Sequence, residues 1–167
     1  FIELCGITIL QRSIECFQYL DGEAEIVVAT SPENFEKCNR IFAAVAAPNL
    51  IFKVIEGGRE RQDSIWNAIQ ALSKEVELVA IHDAVRPFVS KELVQSCFDE
   101  AENNKAAILA IPAKDTIKKV NKSNVVVETP DRSLLWQAQT PQVFKRDILE
   151  EAYTRAIKEN FLGTDDA

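Results

Sequence analysis

The sequence predicts a layered α/β fold, and three observations support that prediction. The chain has 167 residues, of which 47% are hydrophobic and 27% charged, the balance of a globular domain with a sizeable core. Four short, nearly continuous apolar runs are typical of strands covered on both faces. They lie at residues 24–29, 50–55, 76–81 and 106–111. Amphipathic segments separate these runs, and strands that alternate with helices form a mostly parallel sheet with helices on both faces.

Two helices are expected in the first third of the chain. Between Gly6 and Gly22, apolar residues recur at three- and four-residue steps, which gives one apolar helix face. The residues of that face are Ile7, Leu10, Ile14, Phe17 and Leu20. Ser31 is expected to be an N-cap, because Pro32 and Glu33 follow it at positions that the first turn of a helix favours.

Three more helices are expected further along. One begins near Gln62, a second follows the N-cap Ser90, and a third covers about residues 146–158. Their spacing predicts which side chains face inward. These are Ile65, Ile69 and Leu72, then Leu93, Val94, Cys97 and Phe98, and finally Ile148, Leu149, Ala152 and Ile157.

A β-hairpin is expected to interrupt the α/β order. Residues 116–120 and 125–129 are β-rich and flank a polar turn. We therefore expect a single domain over residues 1–167, with a β-arm at about residues 114–133. Because the sequence contains no Met and opens and closes in mid-pattern, we expect this domain to be truncated at both ends.

The β-arm also predicts a partner. A hairpin alone is marginally stable in water, and its free edge and exposed valines need a cover. A second copy related by a twofold axis would cover both arms, which predicts a homodimer.

Composition excludes several classes of protein. A net charge of -7 argues against coating a nucleic acid polymer, although a local cluster of arginines still suits a small anion. The apolar runs are far shorter than the ~20 residues that a membrane-spanning helix needs. The 4 cysteines are scattered and the chain has 1 His, so a Cys/His zinc site is not expected. We expect reduced thiols in a reducing compartment.

Ligands of parallel α/β sheets bind beyond the carboxyl ends of the strands, so the segments there are the candidate site. The first is residues 57–64, where Gly57 and Gly58 allow close approach of the backbone and Ser64 follows on a helix start. Free N–H groups at that helix start favour a phosphate or a base carbonyl. The alternative is an ordinary strand-to-helix turn.

The second segment follows the strand at 76–81. Asp83 is placed to meet a metal ion or a ribose hydroxyl, and Arg86 to present its planar guanidinium to a phosphate. The alternative is a local Asp83–Arg86 salt bridge that stabilises a turn. His82 is expected to serve packing or a structural hydrogen bond.

Two further segments contribute polar residues. Thr116 follows the strand at 106–111, where its hydroxyl is placed to bind a phosphate or the residue simply begins a strand. Thr140 lies in a Thr-Pro pair flanked by glutamines, a segment too polar for packing alone. Trp136 is expected in the core or in an interface.

Four motifs succeed one another along the chain: GGRERQDS, HDAVRPF, PAKDTIKKV and DRSLLWQAQTPQVF. In this order they resemble the 2-C-methyl-D-erythritol 4-phosphate cytidylyltransferase family of the non-mevalonate isoprenoid pathway, over nearly the whole chain. The resemblance implies a Rossmann-like nucleotidyltransferase fold with a protruding β-arm. It also implies that CTP and the sugar-alcohol phosphate give a CDP-alcohol and pyrophosphate, with Mg²⁺ as cofactor.

The resemblance assigns nucleotide and metal roles residue by residue. Gly58 and Ser64 match residues that contact the cytidine part of the nucleotide. Asp83 matches a residue beside the nucleotide and the acceptor, where it helps to organise the Mg²⁺ site. Positioning and charge stabilisation at the α-phosphate dominate such a reaction.

The resemblance also assigns acceptor roles. Arg86, Thr116 and Thr140 match residues that bind the methylerythritol phosphate. Arg132 matches an arm arginine that positions the acceptor phosphate in the neighbouring subunit's site. Arg132 and Asp83 are therefore the expected catalytic residues.

Two alternatives stay open. Ribitol-5-phosphate cytidylyltransferases share the fold, CTP and many of these motifs, and His-Asp-Ala at residues 82–84 and Leu-Trp at 135–136 favour the methylerythritol family only modestly. The chain also begins after that family's first strand and Gly-rich loop, with its Arg and Lys, and stops before a C-terminal lysine. A non-catalytic nucleotide-binding homologue is therefore the second alternative. The bacterial cytoplasm is the expected setting, with a plastid as the other.

Overall fold

The computed structural model describes all residues from 1 to 167, and strands and helices alternate along most of the chain. The strands are β1 (Glu3–Leu4), β2 (Ile7–Thr8), β3 (Ala24–Thr30), β4 (Leu50–Glu56), β5 (Leu78–Ile81), β6 (Ala106–Pro112), β7 (Lys119–Val120), β8 (Val126–Glu128) and β9 (Trp136–Lys145). The α-helices are α1 (Ile9–Glu15), α2 (Phe35–Ala44), α3 (Arg61–Ala71), α4 (Lys91–Asn104) and α5 (Arg146–Lys158). Short 3₁₀ helices cover Pro32–Asn34 and Arg132–Leu134.

Two sheets form the framework. β3 and β4 pair in parallel, from Ala24 opposite Leu50 to Thr30 opposite Glu56. In the second sheet, β9 lies between β5 and β6 and is antiparallel to both, so β5 and β6 run in the same direction. The α/β class is confirmed, but the sequence did not predict the antiparallel strand β9.

β9 was not predicted because its solvent exposure changes along its length. The strand is exposed at residues 136–138 and buried at residues 140–144. A strand with one buried face shows alternating polarity, and a fully buried strand shows a continuous apolar run. β9 has neither pattern, since its polar first half faces solvent and its second half enters the core.

Helices cover both faces of the second sheet, as expected. Val79 and Ile81 of β5 pack in one apolar cluster with side chains of α3, α5 and β9. Leu78 and Ala80 pack on the opposite face against a cluster that includes Cys97 of α4. Successive side chains of a strand point to opposite faces, so the continuous apolar run of β5 is explained by helices on both sides.

A cavity of about 1030 Å³ separates the two sheets. It is lined by residues 24–29 of β3, residues 78–81 of β5 and side chains of α1 and α3. β3 and β5 each pair with a neighbouring strand on one side only, so each keeps an edge of unpaired backbone groups. Unpaired edges of β3 and β5 therefore border the cavity.

The start of the chain differs from the single helix that its periodicity predicts. β1 and β2 form a small antiparallel hairpin, with Cys5 and Gly6 at φ values of 54° and 76°. Helix α1 is short and begins after Thr8, whose Oγ1 accepts a hydrogen bond from the N–H of Gln11 at 3.2 Å. Phe17 lies beyond the helix but is buried. The apolar spacing therefore identified core positions better than it identified the extent of the helix.

The helix ends show which local signals were reliable. Ser90 caps α4 by accepting a hydrogen bond from the N–H of Leu93 at 3.3 Å, as expected. Ser31 instead precedes the 3₁₀ helix and makes no capping hydrogen bond. Helix α5 has the predicted bounds. Three of the expected inward residues are exposed, because they lie on the solvent side of their helices: Leu93, Ala152 and Ile157.

The predicted β-arm is present. β7 and β8 pair with each other in a separate two-stranded sheet, shorter than the predicted hairpin. Its valines are solvent-exposed: Val120, Val125, Val126 and Val127. The arm thus presents an apolar surface that nothing within the chain covers.

Two findings bear on the excluded classes. None of the helices combines the length and the apolar character that crossing a bilayer requires. All four cysteines are free thiols, with Cys38 and Cys97 buried.

Candidate active site

A glycine turn connects β4 to α3 and brings Gly58 and Ser64 together. The Ser64 hydroxyl accepts a hydrogen bond from the N–H of Gly58 at 2.9 Å and donates one to the carbonyl of Glu60 at 3.1 Å. A Cβ on Gly58 would lie 2.1 Å from the Cβ of Asp63. The turn therefore requires a glycine on local grounds, and the nucleotide roles of Gly58 and Ser64 stay predictions.

His82 and Thr140 form a partly buried hydrogen-bond pair beyond the end of β5. Nε2 of His82 lies 3.1 Å from the Arg86 carbonyl, which only accepts, so Nε2 carries the proton. Nδ1 then accepts from the Thr140 hydroxyl at 3.0 Å, and that hydroxyl accepts from the N–H of Asp83 at 3.1 Å. Burial lowers the pKa of His82, which stabilises the neutral ring. The expected structural role of His82 is confirmed.

Asp83 and Arg86 form the salt bridge that the sequence left as one alternative. Nε of Arg86 donates to Oδ2 of Asp83 at 2.9 Å, and the Arg86 guanidinium also contacts Gln139. The pair is not sealed from solvent, since 31% of the Asp83 side chain and 40% of the Arg86 side chain are exposed. A structural salt bridge and a ligand site are therefore compatible here.

Arg61 is a site residue that the motifs did not single out. Its Nη2 lies 3.6 Å from Oδ1 of Asp83, and its Nη1 lies 2.6 Å from Oδ2 of Asp166. Asp83 is thus flanked by two guanidinium groups, Arg61 and Arg86. Guanidinium groups bind phosphate oxygens through paired N–H donors, so two of them beside a strand end suit a phosphorylated ligand.

The arm residues lie apart from this cluster. Thr116 and Arg132 are exposed, and Nη1 of Arg132 donates to the Lys114 carbonyl at 2.9 Å. No hydrogen bond or ion pair within the chain joins either residue to the cluster around Asp83. Trp136 is 61% exposed, so its predicted place in the core is wrong, and its place in an interface stays a prediction.

Arg61 and Asp166 were missed for a physical reason. Arg61 lies in a motif that was noted for its glycines, and Asp166 lies in an irregular segment near the end of the chain. Their contact joins residues that are far apart in sequence, so no local spacing predicts it. An arginine at the start of a helix beyond a strand end was the one available signal.

A helix-covered α/β sheet with a glycine turn and an aspartate–arginine pair beyond its strand ends is the arrangement expected of a Rossmann-like nucleotidyltransferase. The sequence profile of the 2-C-methyl-D-erythritol 4-phosphate cytidylyltransferases matches residues 1–167. The chain belongs to this family, and it is a nucleotidyltransferase enzyme of isoprenoid biosynthesis.

Individual relatives agree with this assignment. The chain is 41% identical to the 2-C-methyl-D-erythritol 4-phosphate cytidylyltransferase of Caldanaerobacter subterraneus, with 100% of this chain and 74% of the relative covered. It is 40% identical to that of Symbiobacterium thermophilum, with 100% and 69% covered.

Solved structures share the fold. The 4-diphosphocytidyl-2C-methyl-D-erythritol synthase of Anaerococcus prevotii superposes with a TM-score of 0.90 at 28% identity, covering 99% of this chain and 74% of that chain. The 2-C-methyl-D-erythritol 4-phosphate cytidylyltransferase of Thermus thermophilus gives a TM-score of 0.78 at 30% identity, covering 99% and 74%. The Rossmann-like expectation is therefore confirmed.

Replacing Gly58 with alanine tests the glycine turn. We expect Gly58→Ala to lower the free energy of unfolding by about 1–3 kcal/mol, the usual cost of forcing a methyl group into a packed site. Gly57→Ala is the matched control. A Cβ at residue 57 would lie 3.1 Å from the Ser64 hydroxyl, a much milder contact than the 2.1 Å between a Cβ at residue 58 and the Cβ of Asp63. Urea denaturation measures both variants. Equal stabilities would show that the turn tolerates a side chain at residue 58.

The neutral His82 ring predicts a pH dependence of stability. The pKa of His82 is lowered from 6.5, so below that pH the unfolded chain binds a proton that the folded chain does not. The free energy of unfolding therefore keeps its full value above pH 6.5 and falls by up to about 1.4 kcal/mol per pH unit below it. Urea denaturation between pH 7.5 and 5.5 should show a steeper loss for the wild type than for His82→Gln. Identical slopes would mean that His82 titrates alike in both states.

Proposed function

We propose that cytidylyl transfer from CTP to 2-C-methyl-D-erythritol 4-phosphate takes place beyond the carboxyl ends of β4 and β5, beside Asp83 and Arg86. One observation carries this proposal: a partly exposed carboxylate lies between two arginines at the end of β5. The relatives named above are methylerythritol phosphate cytidylyltransferases, which favours this acceptor over ribitol 5-phosphate.

In this reaction the bonds that form and break belong to the substrates. An oxygen of the acceptor phosphate attacks the α-phosphorus of CTP, a new P–O bond forms, and the bond to the β-phosphate breaks to release pyrophosphate. Catalysis of such a transfer rests on alignment and on stabilising charge at the phosphates. The planar guanidinium of Arg86 suits two parallel hydrogen bonds to phosphate oxygens. Its exposure leaves room for that contact beside its salt bridge.

The glycine turn is proposed to bind the cytidine part of the nucleotide. Gly58 is exposed and has no Cβ, so a base or a ribose is able to approach its backbone closely. Ser64 holds the N–H of Gly58 in place through its hydroxyl. We therefore assign Gly58 to direct contact, and Ser64 to contact with the nucleotide and to shaping the turn.

The acceptor is proposed to contact Arg86, Thr116, Thr140 and Arg132. Thr140 is buried, and its hydroxyl donates a hydrogen bond to His82 and accepts one from the N–H of Asp83. One of the two lone pairs of the hydroxyl oxygen therefore remains for a ligand. Thr116 and Arg132 belong to the exposed arm, where both side chains are accessible to a ligand held by another subunit.

We propose that Asp83 is the protein ligand of one Mg²⁺ ion, since its Oδ1 has no direct hydrogen bond. Mg²⁺ commonly takes one or two carboxylates and completes its shell with water and substrate phosphates. The chain holds no cluster of three or more His, Cys, Asp or Glu suited to a metal, so Asp83 would act with the nucleotide. Bound there, Mg²⁺ would neutralise negative charge on the phosphates.

We also propose a homodimer through the β-arm. The four arm valines are between 49% and 57% exposed, and Trp136 is 61% exposed at the base of the arm. An apolar two-stranded hairpin of this kind is stabilised when a twofold-related copy covers it. In such a dimer, Arg132 and Thr116 would serve the neighbouring site.

The cavity between the sheets supports the expected preceding segment. A strand placed between β3 and β5 would pair with both free edges and fill the apolar gap. We propose that this strand precedes residue 1 and that the loop after it supplies the cations for the triphosphate. Both Arg61 and Asp83 line the same cavity, so that loop would meet the site described here.

The bacterial cytoplasm is the proposed location. Free cysteines suit a reducing compartment, and the relatives named above come from bacteria.

Asp83→Asn tests the proposed function in the complete protein. Removing the charge takes away the Mg²⁺ ligand and one partner of two arginines, so we expect kcat/KM to fall about 100-fold or more. The melting temperature should stay close to that of the wild type, since a partly exposed salt bridge contributes about 0–1 kcal/mol. Asp147→Asn, an exposed carboxylate in the first turn of α5, is the control and should keep full activity. Near-normal turnover of Asp83→Asn at saturating Mg²⁺ would reject the proposal.

Complementation tests the shared site. Asp83→Asn and Arg132→Ala should each be inactive, and mixing them with subunit exchange should restore activity. One site of each mixed dimer would then hold an intact Asp83 and an intact Arg132 from the other chain. Exchange is verified with differently tagged subunits. Verified exchange without recovered activity would contradict the shared site, and a monomer in sedimentation would contradict the dimer itself.

A further inference from the structure

The irregular segment after α5 is bound to the start of α3. The side chain of Gln62 holds it at two points: Nε2 donates to the Phe161 carbonyl at 3.0 Å, and Oε1 accepts from the N–H of Gly163 at 2.9 Å. Nε2 of the buried Gln142 donates to Oδ1 of Asp165 at 2.8 Å. These contacts fix the backbone on either side of Asp166 and place its side chain beside the site.

Asp166 is a buried carboxylate with two partners. Its side chain is 3% exposed, and Oδ1 accepts a hydrogen bond from the Tyr153 hydroxyl at 2.6 Å. Oδ2 forms an ion pair with Nη1 of Arg61 at 2.6 Å, although without an aligned hydrogen bond. Burying a charge is costly unless it is paired, so this arrangement requires Arg61 to stay where it is.

Tyr153 gives the pair a rigid support. The ring is buried and stacks on Trp66 with centroids 6.0 Å apart. Burial and the hydrogen bond to Asp166 raise the pKa of the Tyr153 hydroxyl far above its usual value, so it remains a donor. Tyr153 therefore fixes the Asp166 carboxylate through Oδ1, and Asp166 in turn pairs with Arg61 through Oδ2.

Arg61 connects this buried pair to the site. Half of its side chain is exposed, at 48%, and without a partner such a long side chain would move freely. Its Nη2 lies 3.6 Å from Oδ1 of Asp83, beyond hydrogen-bond distance, whereas Arg86 binds Oδ2 at 2.9 Å. The pairing with Asp166 thus keeps Arg61 near Asp83 but leaves Oδ1 of Asp83 without a direct hydrogen bond.

We propose that Asp166 is a positioning residue for the transfer reaction, acting through Arg61. It holds the Arg61 guanidinium beside Asp83, at a distance that keeps Oδ1 of Asp83 available to ligands. It also keeps the partly exposed Arg61 side chain beside the proposed phosphate position. This inference rests on the proposed role of Asp83. In the absence of Asp166, Arg61 would be free to form a closer pair with Asp83 or to turn into solvent.

A double-mutant cycle in the complete protein tests the proposal. Asp166→Asn keeps the size of the side chain and removes its charge, and we expect kcat/KM to fall about tenfold or more, as for a lost hydrogen bond to a charged group. Arg61→Ala should lower kcat/KM at least as much. The double variant should be no worse than Arg61→Ala alone, because Asp166 then has nothing to position. A purely structural role would make the two losses multiply.

Controls separate the outcomes. Asp165→Asn removes the charge of the neighbouring carboxylate but keeps Oδ1 as the acceptor for Gln142, so kcat/KM should stay within about twofold of the wild type. If Asp166→Asn does not fold, Tyr153→Phe replaces it, with an expected loss of about 3- to 10-fold from one lost hydrogen bond.

Two results would overturn the proposal: unchanged kinetics in the folded Asp166→Asn variant (or in Tyr153→Phe where it stands in), or multiplicative losses in the cycle. An active Asp83→Asn variant would instead reject the proposed function. An inactive Asp83→Asn variant alongside a fully active Asp166→Asn variant rejects this inference alone.

Discussion

A bulge in β9 is the constraint on which the site depends. Between the pairs Ile108–Gln142 and Ala110–Ala138, three residues of β9 face the single residue Leu109 of β6. The extra residues bend the strand away from regular pairing, as β-bulges beside functional sites commonly do. They bring Thr140 to the N–H of Asp83, where β5 ends. One strand thus supplies core packing in its second half and site contacts in its middle.

The charges of the site are set locally and not by the whole chain. The protein has a net charge of -7, yet Asp83 lies between Arg61 and Arg86. Asp83 and Asp166 together balance the charges of Arg61 and Arg86, so these four side chains have no net formal charge. Site charge governs the binding of a small anion more than total charge does. A phosphorylated ligand is therefore compatible with an acidic protein.

Two regions of the chain have unmet packing requirements. The edges of β3 and β5 face an apolar cavity, and the β-arm exposes valines on a two-stranded sheet. Unpaired strand edges and apolar hairpins are stabilised by pairing and by burial. Both regions adjoin proposed substrate contacts, since Asp83 lines the cavity and Arg132 follows the arm. The open strand edges and the exposed apolar surface therefore lie next to the proposed substrate contacts.

The sequence by itself determined what depends on neighbouring residues. The bounds of helix α5, the N-cap at Ser90, the buried run of β5 and the glycine turn all follow from spacing within a few residues. The motifs in their order also identified the family. Only the tertiary structure decided that β9 runs antiparallel through the second sheet, that its bulge meets Asp83, and that Arg61 pairs with Asp166. These features join residues far apart along the chain, and local periodicity contains no information on which distant side chains meet.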